Sequence, residues 1–366
     1  MLDGSILTRA SREWAARPED ERFTTLTALH ARVEDARLNS QAKAVSSRSI
    51  EFAPDPEDSR NGLLVNGAAA THWSFGQVAT LAGAPAGYLR KLPPALAADN
   101  LNYGLRFERD VQDIGVLLSR DPESGSVALR AATGPNYGRI WNADITRSLI
   151  DKFGDGVSGD WTVPGEFGKA VEVSKDNTTL YASDRDMFVF LADEKNRIEI
   201  ANRRNGEPGS LARGFFVWNS EVGSATLGIA AFLFDYVCMN RIVWGVQEYR
   251  EVKIRHTSGA PDRWIEDAQP VLEAYARSSA KPFEDALRLA QESRLDDVDK
   301  FLAKRNFSAR DVTRFKAAHM AEEGRPIETL WDATTAITAV ARTIGHADER
   351  VKMERAGGAI LDLVAA

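Results

Sequence analysis

Apolar residues recur at helical spacing in PEDERFTTLTALHARVEDARL, from Pro18 to Leu38. Phe23, Leu26, Leu29, Val33 and Leu38 predict one buried stripe, with acids in the first turn where the helix dipole favours them. The apolar runs SIEFAP and GLLVNG, separated by polar DPEDSRN, predict a short strand pair. FGQVATLAGAPAGYLRKLP, residues 75–93, predicts a helix, a glycine turn and a second helix that ends at Pro93 and Pro94.

The pattern then changes period. DIGVLLSRDPESGSVALRAATG is two apolar runs around a turn-rich segment and predicts a β-hairpin. YGRIWNADITRSLIDKFG returns to helical spacing, with Asn142 as N-cap and Gly154 as terminator. GKAVEVSKDN, MFVFLADEKN, IEIANRR, RGFFVWNSEVGSATLGIAAFLFDYVCMNRIVWG and EVKIRH supply further strands, and beyond His256 the spacing is helical to the end, with Ser308 and Asp311 forming a capping pattern. The predicted class is α+β. A central, mostly antiparallel sheet with a crossing helix occupies 106–256, between a helical and β region over 1–105 and a helical region over 257–366.

The chain has 366 residues, and 43% of them are hydrophobic, enough for a sizeable core. No run of about 18 apolar residues occurs and the N-terminus lacks the pattern of a secretion signal, so no membrane partner is expected. The lone cysteine, Cys238, sits in an apolar run and reads as a buried small hydrophobe. These features predict a reducing, cytoplasmic setting. A net charge of −7 disfavours wholesale coating of a polyanion. Any basic surface must be local: residues 151–200 hold eleven Asp/Glu against six Lys/Arg, whereas 201–260 hold seven Lys/Arg against five Asp/Glu.

The hairpin at 75–93 superficially resembles a DNA-reading helix-turn-helix. Its second helix offers Ala86, Gly87, Tyr88 and Leu89, which cannot read base edges, so a structural hairpin is expected, with Arg90 and Lys91 at most touching phosphate. The stronger candidate is NRRNGEPGSLARGFFVWNS. Arg203, Arg204 and Arg213 on or beside a loop suit phosphate, and Phe216 and Trp218, if outward, suit base stacking. NYGRIW adds Tyr137, Arg139 and Trp141 on one side of an extended stretch, and CMNRIVWG adds Arg241. A nuclease alternative would use Asp235, Glu251 and Lys253, two carboxylates on magnesium with a lysine beside the attacking water. Otherwise no cofactor or metal is expected. Asp184 and Asp186 read as a solvated edge. The five histidines are scattered without zinc-ligand spacing, and nucleophile-elbow, phosphate-loop and dinucleotide motifs are missing. The glycine pair in ERAGGAILDL predicts close helix packing.

Several stretches together, among them WSFGQVATLAGAPAGYLRKLPPALAADNLNYGL, AATGPNYGRIWN, DRDMFVFLADE, GFFVWNSEVGSATLGIAAFLFDYVCMNRIVWG, IRHTSGAPDR, LWDATTAITAVAR and RVKMERAGGAIL, resemble the phage/plasmid-like protein family, domain of unknown function 932, in order along nearly the whole chain. The resemblance implies a mobile-element protein and a neighbourhood of DNA metabolism, and it transfers no catalytic residue. The leading expectation is a DNA-binding protein acting on single-stranded or recombining DNA, as an annealing or strand-protecting factor and as a homo-oligomer. A metal-dependent nuclease and a protein-interaction or anti-defence factor stand as alternatives.

Overall fold

The computed structural model describes residues 17–58, 62–108, 110–164, 172–201, 203, 206–235, 241–242, 252–344 and 347–364. The first helix, α1 (Leu26–Leu38), starts later than its apolar spacing predicts, because the Thr25 side chain accepts from the Ala28 N–H and fixes the cap there. Glu19–Glu21 form a separate 3₁₀ turn, and Phe23 belongs to a strand, β1 (Arg22–Phe23). Leu38 is 75% exposed, so the buried stripe is Leu26, Leu29 and Val33.

Among the described residues the strands form two sheets. The smaller contains β2 (Ser40–Ser46), β3 (Phe52–Pro54), β4 (Leu63–Val65), β5 (Ala68–Ala70), β6 (Asp113–Arg120) and β7 (Val127–Thr133), in the order β2-β6-β7-β5-β4-β3. Its pairings are antiparallel except β5 with β7. The predicted strand pair and hairpin are both here. A boundary at 105/106 does not separate units, because the hairpin after it completes the sheet begun before it. Helices α2 (His72–Leu81), α3 (Ala86–Leu89) and α4 (Pro94–Tyr103) share this sheet's core through Val78, Leu89 and Leu101. Gly83 turns the chain between α2 and α3 with φ +73°, a conformation glycine adopts without a Cβ penalty. The helix after it is four residues long, so this element is a packing hairpin.

After α5 (Asn142–Phe153), the larger sheet takes in β1, β8 (Trp161–Thr162), β9 (Leu180–Ala182), β10 (Met187–Asp193), β11 (Ile198–Ile200), β12 (Gly209–Asn219), β13 (Leu227–Asp235), β14 (Arg241–Ile242) and β15 (Val252–Ile254). Its main path is β1-β9-β10-β12-β13-β14, antiparallel throughout. One face packs on α1, on α5 and on helices of the C-terminal region, burying Leu26, Leu149, Phe153, Phe215, Phe283 and Trp331 in one core. Those helices are α6 (Ala260–Arg263), a π turn over Trp264–Ala268, α7 (Gln269–Arg277), α8 (Lys281–Glu292), α9 (Val298–Ala303), α10 (Ala309–Glu323), α11 (Leu330–Arg342) and α12 (Ala347–Leu361). Ser308 and Asp311 form the predicted capping box at the start of α10. Gly357 on α12 lies where a Cβ would press on Thr338 of α11, which is the close packing its glycine pair predicts. The protein is therefore α+β. Among the described residues no helix is long and apolar enough to cross a membrane.

The two sheets are joined through the turn after β12. The Val222 carbonyl accepts from Trp73 Nε1 (3.0 Å) and Gln77 Nε2 (2.8 Å), both on α2. Glu221, 2% exposed, accepts from Arg130 Nη2 of β7 at 2.9 Å through one carboxylate oxygen. The other accepts the Asn142 N–H at 2.8 Å. Asn142 is thus not the N-cap of α5. Glu221 does that work from 79 residues away, where a negative charge also suits the positive end of the helix dipole. Gly154 does end the helix, at φ +83°.

Gly138 makes a close approach of a different kind. Its N–H donates to the His256 carbonyl at 3.2 Å, and a Cβ built on it would overlap the Thr257 carbonyl oxygen, a backbone atom that cannot swing aside. Gly138→Ala is expected to destabilise by about 3 kcal/mol, at the upper end for overpacking. A thermal melt of the variant that superimposes on wild type would show that the two segments separate freely.

Candidate nucleic-acid interface

Two of the three arginines expected to form a phosphate-gripping loop, Arg203 and Arg213, are buried in ion pairs. Arg203 is 0% exposed and donates through Nε (3.0 Å) and Nη2 (2.8 Å) to Glu323 Oε1 at the end of α10, with its guanidinium 5.3 Å from the Trp331 ring centroid. Arg213, 3% exposed, donates to Asp193 Oδ2 at 2.5 Å and to the Ser278 carbonyl at 2.8 Å, and lies over Trp161 and Tyr275. Guanidiniums this deeply buried do not reach a phosphate in solvent. Arg204 and Glu251 lie outside the described residues, as do the side chains of Arg241 and Asp235.

The aromatic platform is also interior. Trp218 and Phe216 are 3% and 5% exposed, Phe216 stacks on Phe188 at 5.7 Å, and Trp218 covers Gly228 where a Cβ would collide with it. Phe215 and Val217 enter the main core on the opposite face, so β12 is covered on both sides.

The nuclease arrangement fails on strand register. Lys253 of β15 pairs with Gly228 at the start of β13, whereas Asp235 ends that strand and pairs with Leu211. At about 3.3 Å per residue this sets their Cα atoms about 23 Å apart, too far for one metal-water site. Among the described residues no group of three or more His, Cys, Asp or Glu could hold a metal ion. Nor do Asp184 and Asp186 form one solvated edge: Asp186 is buried in an ion pair with Arg17, and only Asp184 is exposed.

NYGRIW is different, because its residues do converge. The Tyr137 hydroxyl donates to the Ser220 carbonyl at 2.7 Å, its ring stacks on His256 at 4.8 Å, and burial pushes its pKa up. Burial pushes the His256 pKa down, so the imidazole is neutral at neutral pH, and its Nδ1–H donates to the Gly138 carbonyl at 3.0 Å. Arg139 Nε donates to the Glu221 carbonyl at 2.8 Å. The guanidinium carbon of Arg139 stands 5.4 Å from the Tyr137 ring and 5.6 Å from Trp141, and Arg37 of α1 approaches Trp141 at 5.7 Å.

This arginine–aromatic edge opens onto a groove of about 530 Å³ between the outer face of α5 and the π turn at Trp264. Spacing of three and four along α5 brings Asp144, Arg147, Ser148, Asp151 and Lys152 to the groove, while Ile145, Leu149 and Phe153 face the core. Arg147 is 60% exposed and only loosely paired, 3.7 Å from Glu34. Asp144 is held by Arg37 at 2.5 Å, which neutralises one of the two carboxylates in the groove. Ile140, Pro261 and the 59% exposed Ile265 supply apolar wall. A separate polar cleft of about 360 Å³ lies between α1 and the β6–β7 hairpin. Arg32, Arg120, Asp121 and Asp184 line it with the Arg130–Glu221 pair.

Sequence reasoning missed Arg147, Lys152 and Trp264. The first two were legible as the outward positions of a well-marked helix. Trp264 becomes visible only when the chain returns more than a hundred residues later.

Fold and groove define an α+β protein of two joined sheets with a half-exposed arginine–aromatic edge and no described metal centre. The family model for a domain of unknown function (DUF932) matches residues 171–361, just over half of the chain, and the chain belongs to that family. No curated protein and no solved structure matches it. The family match takes in the π-turn wall of the groove and leaves the α5 wall outside.

Proposed function

We propose that the protein binds single-stranded DNA without sequence preference along the α5 groove. The observation that carries this reading is the convergence of Arg139 and Trp141 with Arg37, Arg147 and Lys152 on one exposed edge. Arg139, Arg147 and Lys152 contact phosphate, and Trp141 with the apolar wall receives bases, the combination that single-strand binders use. With a net charge of −7 the attraction is confined to this edge. Such contact is what an annealing or strand-protecting factor requires, which fits the resemblance to phage/plasmid-like proteins.

About three phosphate contacts imply a slope near −2 in log affinity against log salt for a single strand. Arg147→Ala with Lys152→Ala is expected to weaken oligonucleotide binding and to flatten that slope by about 0.7 unit per lost contact. Fluorescence anisotropy over a salt series reads both. Unchanged affinity of the double variant at about 0.1 M salt would sink the assignment.

A further inference from the structure

Helix α4 runs on without a break into a π turn over Gly104–Glu108, about 22 Å of helix in all. Its inner face buries Ala98, Leu101 and Leu105 in the core of the small sheet. The outer face of such a helix is ordinarily polar, and here it is not. Leu96, Tyr103 and Phe107 are 48%, 56% and 71% exposed, and the Tyr103 and Phe107 rings lie 5.3 Å apart. Spacing of four, three and four residues aligns Leu96, Asn100, Tyr103 and Phe107 in one row along the helix. On a scale of about 150–250 Å² per aromatic side chain, the row leaves about 300 Å² of apolar surface in water, the size at which patches on a monomer are often contact sites.

We propose that this row docks on the same row of a second copy of the chain, α4 against α4, antiparallel about a two-fold axis. In that arrangement the row is complementary to itself. Leu96 falls opposite the partner's Phe107, and Asn100 opposite the partner's Tyr103. Asn100 spends its side-chain N–H on the Leu96 carbonyl at 2.7 Å, which leaves its Oδ1 as an open acceptor, and the Tyr103 hydroxyl bonds to no described residue. Across the axis that hydroxyl donates to the partner's Asn100. The charges fit as well. Asp99, exposed and paired with no described cation, lies on one flank of the row. Farther along the same flank Arg106 stands 3.2 Å from Glu51 while Arg48 donates to the Arg106 carbonyl, so two arginines face one carboxylate and a positive charge is left over. The two-fold axis brings Asp99 beside the partner's Arg106, and Arg106 beside the partner's Asp99, which fixes the orientation of the pair. With its flanks the contact buries about 1,000 Å², the lower bound for a specific interface, so the dimer is weak and forms in the micromolar range.

Sedimentation velocity of the full chain, without nucleic acid, is expected to show monomer giving way to dimer between about 1 and 100 µM. Phe107→Ser leaves the melting temperature of the monomer unchanged, because the side chain is mostly in water. It weakens association about a hundredfold, since a truncated anchor costs about tenfold and the two-fold axis counts it twice. Asp99→Arg and Arg106→Asp each weaken self-association about tenfold by setting like charges together. Mixed in equal amounts, these two variants form a heterodimer as tight as the wild-type dimer, because opposite signs meet again at both flanking contacts. Wild type that stays monomeric at about 100 µM overturns the proposal, and so does a dimer that Phe107→Ser leaves intact. A mixture no tighter than its two components overturns the antiparallel pairing. Because no DNA is present, each of these outcomes is independent of whether the α5 groove binds a single strand.

Discussion

Arg203→Ala is expected to lower the unfolding free energy by about 3–5 kcal/mol, because it strips one partner from a fully buried ion pair and leaves the Glu323 carboxylate desolvated. Against a typical total of about 5–15 kcal/mol, that is a large share. The pair ties the segment after β11 to the end of α10, so both regions lose support together. Urea denaturation measures the loss. The double variant Arg203→Met with Glu323→Leu should recover most of it, since well-packed apolar residues replace buried ion pairs at little net cost. Should Arg203→Ala instead leave the urea midpoint alone and weaken DNA binding, the residue is a surface phosphate contact after all.

Glu221→Ala is expected to cost a similar amount, about 3–5 kcal/mol, by leaving Arg130 buried without its carboxylate and the first turn of α5 uncapped. Glu221→Gln keeps the shape and loses the charge, and so costs less. Because the turn after β12 fastens the small sheet to the large one, hydrogen exchange should quicken at the Asn142 amide and along the β6–β7 hairpin in the alanine variant. Unchanged exchange at both places would mean that the sheets are held together elsewhere.

The elements that the sequence made legible are those whose causes are local. The β6–β7 hairpin, the glycine turn at Gly83, the stop at Gly154 and the capping box at Ser308 each follow from residues within a few positions of one another. The alternation in GFFVWNS correctly separates Phe215 and Val217 from Phe216 and Trp218. It carries no information on whether a second layer covers the outer set, and here one face is as buried as the other. Arg203 and Arg213 read as loop cations because Glu323 and Asp193, 120 and 20 residues distant, are invisible to any short window. Asp235 and Lys253 look adjacent by spacing, yet β15 pairs with the opposite end of β13. Of the NYGRIW trio, whose clustering was a matter of spacing alone, the structure adds Arg37, Arg147 and Trp264 as neighbours.

The sequence by itself determined the α+β class, most element positions, the caps and turns, and the helical nature of the hairpin at 75–93. Backbone conformation answers to neighbouring side chains, and those are written in order. Only the tertiary structure decided which charges are buried and which are free, that the N-terminal strands and the hairpin share one sheet, and where a groove lies. Burial and pairing depend on partners brought together by the whole fold, and their distance in sequence leaves no local trace.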